Sequence, residues 1–280
     1  MIKGRGKERR IMDIRIVDTT LRDGEQKAGI ALGINDKVQI AKILDSMGIY
    51  QIEAGIPAMG KEEKQSIRKI AELGLKCRIS TWNRLNIDDI KQSLDCGSDI
   101  VHISVPSSDI QIKAKLRRDR EWVLDSIKRC LDYARSKNHQ ITIGLEDASR
   151  AEFKFLLQII AAVSELGVSR VRYADTVGIL SRKRIYEEIK IIRNETKTDI
   201  EIHTHNDMGM AVANALSAVK GGAEFVDCTV GGIGERAGNC DLLQFIKAAK
   251  ACLGLSREVD ELKLLEAQKD IMKIINRGQA

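Results

Sequence analysis

Short apolar, β-branched runs alternate with longer stretches of helical spacing along almost the whole chain, and there are eight such pairs. The expected strands are IRIVDTTL from Ile14, QIEAGIP from Gln51, CRISTWN from Cys77, IVHISVP from Ile100, ITIGLED from Ile141, VRYADTVG from Val171, IEIHTHND from Ile200 and FVDCTVGG from Phe225. Between them, segments such as DKVQIAKILDSMG, EWVLDSIKRCLDYARSK and RIYEEIKIIRNE repeat apolar residues at three and four and end in Gly or basic residues, as helices do. Parallel strands joined by helices, eight of them in roughly 250 residues, form an α/β chain closed as a (β/α)8 TIM barrel. An open dinucleotide-binding sheet would carry GxGxxG after its first strand, where this chain has LRDGEQKAG. The expected organisation is a basic tail over 1–12, a single barrel domain over 13–254 and a C-terminal helical segment over 255–280.

With 43% hydrophobic and 31% charged residues in 280, the chain can bury a core of its own. No apolar run approaches the ~20 residues of a membrane span. The basic start MIKGRGKERR is not followed by an apolar stretch, so it does not read as a secretory signal, and a cytoplasmic protein is expected. Six cysteines without CxxC spacing point to reduced, packed thiols. The net charge of +6 comes from Lys and Arg interspersed with Asp and Glu along the helices, and aromatics are 4%, so nucleic acid is not expected as a partner. A small anionic substrate suits the balance.

In a barrel of this kind the chemistry sits at the C-terminal ends of the strands. Strand one ends in Arg22, Asp23, Glu25 and Gln26, and strand two in Glu53. Strand four holds His102 and Ser104, and strand five ends in Glu146 and Asp147. Strand six ends in Asp175 and Thr176, strand seven in His203-Thr-His205-Asn-Asp207, and strand eight runs into GGIGERAGN. His203 and His205 lie two apart on a strand and so face one side, where Asp23 from the nearby first strand can join them. Such an O/N2 set with open positions suits Mg²⁺, Mn²⁺, Fe²⁺ or Zn²⁺ in a catalytic role. Arg22, always protonated, is placed to neutralise oxygen charge developing beside the metal. Gly231, Gly232 and Gly234 allow either a helix N-terminus that holds an anion or a tight final turn. Arg172 is in phase with Thr176 and is expected to point inward, needing a carboxylate from Glu146, Glu201 or substrate. Glu53 and Glu146 are candidate acids, and Trp82 and Trp122 read as packing.

The stretches DTTLRDGEQ at 18 to 26, ADTVG at 174 to 178, HTHND at 203 to 207 and GGIGERAGN at 231 to 239 resemble, in order and spacing, the metallolyase barrels. These include 2-isopropylmalate synthase, homocitrate synthase and hydroxymethylglutaryl-CoA lyase. GIPAMG, KLRRDREWVL and EDASRA are most similar to the homocitrate synthases associated with nitrogenase cofactor assembly. The resemblance implies a divalent metal, Mn²⁺ or Mg²⁺ foremost, on Asp23, His203 and His205, with Asn239 joining or orienting them. It implies catalytic roles for Arg22, Glu146 and His102, and substrate contacts from Gln26, Thr176 and Arg172. The implied reaction is a Claisen condensation of acetyl-CoA with 2-oxoglutarate to (R)-homocitrate and CoA. A lyase acting on an acyl-CoA, or a synthase for another 2-oxo acid, is the alternative. Synthases of this family carry a C-terminal extension that supplies the expected general base, while here only about 25 residues follow the barrel. The implied assembly is a homodimer or a complex with a separate C-terminal chain. At Gly144, where relatives usually place a polar residue, the reader of the distal carboxylate is left open, with Arg172, Arg150 and Arg84 as candidates.

Overall fold

A computed structural model of the chain describes residues 14–137, 139–254 and 260–277, so the expected 1–12 tail lies outside the described residues. Eight strands close on themselves in sequence order: β1 (Arg15–Asp18), β2 (Gln51–Glu53), β3 (Arg78–Arg84), β4 (Ile100–Pro106), β5 (Gln140–Glu146), β6 (Arg170–Asp175), β7 (Asp199–Thr204) and β8 (Phe225–Cys228). All neighbours are parallel, and β1 meets β8 with Asp18 opposite Cys228. The (β/α)8 barrel expected from the eight pairs is the observed fold. The intervening helices are α1 (Ile34–Ser46), α2 (Lys61–Ala71), α3 (Ile87–Leu94), α4 (Arg120–Arg135), α5 (Phe153–Glu165), α6 (Arg182–Glu195), α7 (Ala211–Gly221) and α8 (Leu242–Leu253).

Several of the helices are capped by local chemistry. The Asn86, Asp119 and Asp241 side chains accept from Asp88 N, Trp122 N and Gln244 N at the starts of α3, α4 and α8. Gly222 and Gly254 end α7 and α8 in the left-handed region that only glycine adopts freely. The apolar positions of one strand face, such as Ile52, Val101, Ile103, Ile143, Val171, Ile200 and Val226, share one core with helix residues including Ile40, Leu44, Ile67, Ile127, Ile159 and Ile189. A last helix, α9 (Glu261–Arg277), packs against α1 and α8 and buries Leu264, Ile271, Ile274 and Ile275. Among the described residues beyond the barrel, Glu261–Arg277 is helical and seated on it.

The barrel interior departs from the usual apolar filling. Gln51 Nε2 donates to Ser80 Oγ at 2.8 Å, Arg170 bonds Gln51, and Arg170 Nε lies 3.1 Å from Glu201 Oε2. Above that layer Arg172 meets Glu53, Glu201 and Asp227, all buried. The strands alternate apolar residues toward the helices with charged ones toward the axis, and that polar column carries the site.

Several expected strands stop early, β1 and β8 with the most consequence for the site. After Asp18 the chain turns at once, because Arg22 N, Asp23 N and Gly24 N all donate to Thr19 O at 3.1, 2.8 and 3.0 Å. This tight turn lifts Arg22 and Asp23 over the barrel mouth. β8 likewise ends at Cys228 and passes into a short 3-10 turn, Val230–Gly232, so the glycines build the turn and not the N-terminus of a helix.

Candidate active site and metal centre

The turn after β1, the end of β7 and the loop after β8 bring Asp23, His203 and His205 together, with one ligand-type atom from each within 4.8 Å of the others. His203 Nε2 and His205 Nε2 stand 3.6 and 3.9 Å from Asp23 Oδ2, and the two imidazoles lie edge to face at 4.9 Å. All three residues are buried. Asn239 completes the cluster: its Nδ2 donates to Asp23 Oδ1 at 2.9 Å and to Ile233 O at 3.0 Å. Its Oδ1 is buried and finds no hydrogen-bond partner among the described residues. An orphaned carbonyl oxygen beside one carboxylate and two imidazoles is the donor set a divalent cation would satisfy, so the residues fit the ion the motif implied.

Electrostatics keep this set ready to ligate. Burial alone would raise the Asp23 carboxyl, yet Arg22, His203, His205 and the Asn239 bond hold it below the usual value, so it is ionised. Burial pushes the His205 imidazole down to about 4, helped by neighbouring His203, and burial also lowers His203 against the pull of Asp23. Both rings are neutral. Their far nitrogens are set in opposite ways. His203 Nδ1 faces Asp227 Oδ2 at 3.0 Å, an acceptor, whereas His205 Nδ1 faces Arg236 Nη2 at 2.9 Å, a donor.

Arg22 Nη1 lies 2.6 Å from Asp23 Oδ2, and its guanidinium stacks on the Trp82 ring at 4.6 Å. Trp82 is therefore part of the site wall and not the packing residue expected. Arg22, Asp23, Gln26, Trp82, His102, Ser104, Gly144, Glu146, Arg172, Thr176, His203, His205 and Glu235 line one cavity of about 220 Å³. Of the metal, catalytic and substrate-contact residues implied by the resemblance, all but Asn239 line it, and Asn239 lies directly behind Asp23; Glu53, Arg84 and Arg150, also considered, do not line it.

Within the cavity the expected roles divide. Thr176 Oγ1 accepts from Asp147 N at 2.8 Å, which leaves its own O–H free to donate into the cavity. His102 is buried, and burial with Arg172 nearby lowers it well below the ordinary value, so it is neutral; its Nδ1 pairs with Thr142 Oγ1 at 2.9 Å. Gly144 makes room for it, since a Cβ there would stand 2.5 Å from His102 Nε2. Glu146 is gripped by Ser104 Oγ at 3.1 Å, Gln111 Nε2 at 2.9 Å and Lys115 Nζ at 3.0 Å. Arg172 points inward and meets Glu201 (2.5 Å), one of the carboxylates expected for it, together with Glu53 (2.7 Å) and Asp227 (3.0 Å), while Glu146 is not a partner. A guanidinium so enclosed by protein carboxylates is an internal tie before it is a substrate contact. The other two arginines considered for a distal carboxylate are also engaged, Arg84 with Asp89 and Arg150 with Asp147.

Two residues escaped the sequence reading. Asp227 reaches His203 and Arg172 together. Lys37 on α1 is buried between Glu25 and Glu63, each at 2.6 Å, and so ties the β1 turn to the start of α2. The signal for Asp227 was available: an acidic residue in the middle of the buried run FVDCTV has to face inward and find a partner. Nothing in the sequence singles out Lys37 among the other helical lysines.

A closed parallel barrel with a buried Asp/His/His cluster and an arginine at its C-terminal mouth defines a barrel with a candidate metal centre where such folds keep their chemistry. The chain belongs to the HMGL-like family, whose model matches residues 13–271. It is 55% identical to a protein of Clostridium pasteurianum named homocitrate synthase subunit alpha, over 94% of this chain and 98% of that one. Homocitrate synthase 1 of Nostoc sp. is 45% identical over 90% of this chain, which spans 67% of that protein. 2-Isopropylmalate synthase 2 of Caldanaerobacter subterraneus is 46% identical over the same share, and 66% of it is spanned. Among solved structures, hydroxymethylglutaryl-CoA lyase from Pseudomonas aeruginosa superposes with a TM-score of 0.83 over 96% of this chain and 95% of the other. Its identity is 18%, so that likeness speaks for the fold. The resemblance read from the four motifs is the family found.

Proposed function

We propose that this chain is an acyltransferase that condenses acetyl-CoA with a 2-oxo acid, 2-oxoglutarate, and that water then cleaves the thioester to give (R)-homocitrate and CoA. It works as the barrel subunit of an enzyme whose C-terminal part is a separate chain. The observation that carries the reading is the 55% match along nearly the full length of both chains to a protein named as a subunit of homocitrate synthase. Longer relatives, of which this chain spans about two thirds, fit a division of the same machinery into two polypeptides.

Asp23, His203, His205 and the Oδ1 of Asn239 would hold the cation, which when bound supplies Lewis-acid polarisation of the 2-oxo acid carbonyl. The chain's own groups do the rest. Thr176 donates its free O–H to the substrate carboxylate, and Gln26 lines the same cavity from the turn after β1. Arg22, pinned by Asp23 and Trp82, offers positive charge where the new alkoxide develops, inside a buried site where that charge is most effective. Neutral His102 offers Nε2 above the space Gly144 leaves open. Glu146, held by three donors, ties the ends of β4 and β5 together, and with its oxygens so engaged it is poorly suited to remove a methyl proton. The base that does so comes from the companion chain.

Release of free thiol from acetyl-CoA, measured across a panel of 2-oxo acids with and without Mn²⁺ or Mg²⁺ and with the companion chain added, tests this. Turnover is expected with 2-oxoglutarate and metal only. Formation of acetyl-CoA from a 3-hydroxyacyl-CoA with no 2-oxo acid requirement would overturn it in favour of a lyase.

A further inference from the structure

Asp227 lies on β8 beneath the metal cluster, and none of the roles above uses it. It is buried, and its Oδ2 stands 3.0 Å from two nitrogens at once, His203 Nδ1 and Arg172 Nε. Arg172 is permanently protonated; its Nε–H donates to Glu201 Oε1, and its guanidinium places a fixed positive charge 3.0 Å from the Asp227 oxygen. Beside that charge Oδ2 is the oxygen that stays unprotonated, any proton this carboxyl carries sits on the unpartnered Oδ1, and Oδ2 accepts from His203 Nδ1. A ring nitrogen that donates at Nδ1 in a neutral imidazole leaves Nε2 bare, and Nε2 is the atom turned toward Asp23. The other face of Arg172 grips Glu53 at 2.7 Å, and Glu53 accepts from Thr19 Oγ1 at 3.2 Å and lies 3.8 Å from Arg22 Nε. One buried chain of contacts thus runs from the metal-facing imidazole to the arginine over the substrate.

We propose that Asp227 is a positioning residue that locks His203 in the tautomer with the proton on Nδ1, presenting Nε2 to the cation, and that Arg172 holds Asp227 in place for this task. The inference rests on the metal reading of Asp23, His203 and His205 and assigns the interior ion pairs to the working of that centre. Carboxylate partners behind metal-binding imidazoles typically tune affinity by ~10–100-fold. His205, whose Nδ1 faces Arg236, has no such support.

The apo protein has four histidines, so its imidazole nitrogens are assignable by long-range ¹H–¹⁵N NMR with single His→Gln variants. His203 of the unaltered chain is expected to show the proton on Nδ1; a proton on Nε2 overturns the proposal without any Asp227 variant being made. Asp227→Asn is then expected to mix the tautomers and weaken Mn²⁺ binding, read from the electron paramagnetic signal of free Mn²⁺, by ~10-fold or more. Arg170→Lys perturbs the same buried network without touching His203 and should leave Mn²⁺ affinity within about threefold. Equal weakening in both variants, or none in Asp227→Asn, overturns the proposal. These readouts use no acyl-CoA or 2-oxo acid, so they stand or fall apart from the assigned reaction. Failure of the unaltered chain to bind any divalent metal would sink the metal reading itself.

Discussion

Neutral imidazoles deep in a protein are a statement about protons as well as metals. His205 keeps its lone pair because burial holds its value near 4, against an ordinary 6.5. Between those two values the unfolded chain takes up a proton here that the folded chain refuses. The contribution of this group to stability is therefore complete above pH 6.5 and is lost as pH falls toward 4. The same shift governs metal uptake. Apparent Mn²⁺ affinity should show no proton competition from His205 until the pH drops toward 4. An affinity that starts falling tenfold per pH unit at 6.5, followed by the resonance of free Mn²⁺, would contradict the shielded ring.

At the scale of elements, the loop after β8 decides how closely Asn239 approaches Asp23. Gly234 has φ +158° and would place a Cβ 2.2 Å from Asn239 Nδ2. Gly234→Ala should therefore destabilise the fold by about 1–3 kcal/mol through backbone strain. It should also weaken Mn²⁺ binding about tenfold by pushing the amide off Asp23, as metal affinity depends on such supporting contacts. Denaturant melts and Mn²⁺ binding check the two parts separately, and wild-type affinity in the variant would remove Asn239 from the cluster. The elements themselves were legible: eight alternations fix strand order, and closure places β1 beside β8 and hence Asp23 near the histidines. His203 and His205 were legible because residues two apart share a strand face. Contacts that depend on register across the barrel were not. Arg172 could be seen to turn inward with Glu201 as one candidate partner, but that it also meets Glu53 on β2 and Asp227 on β8 depends on how the strands stagger, which periodicity does not encode. Trp82 was misread for the same reason, since its neighbour Arg22 arrives from another unit.

For the molecule as a whole, a ligand bound by the folded barrel and not by the unfolded chain stabilises it by about 2.7 kcal/mol at one hundred times its dissociation constant. Saturating Mn²⁺ should raise the melting temperature by several degrees, and His203→Ala should abolish that rise while leaving the metal-free melt close to that of the unaltered chain. A metal-independent melting temperature in the unaltered chain would refute the centre. The reason such a shift is expected lies in where the ligands come from. Asp23 follows the first strand, and Asn239, 216 residues later, follows the last. An ion seated between them is a clasp on the seam where the ring of strands joins its own beginning. It can be fastened only once every intervening unit has taken its place. The population of molecules carrying metal is then also the population whose barrels have closed, and a chain interrupted anywhere between those two residues would show the injury first as a failure to retain its ion.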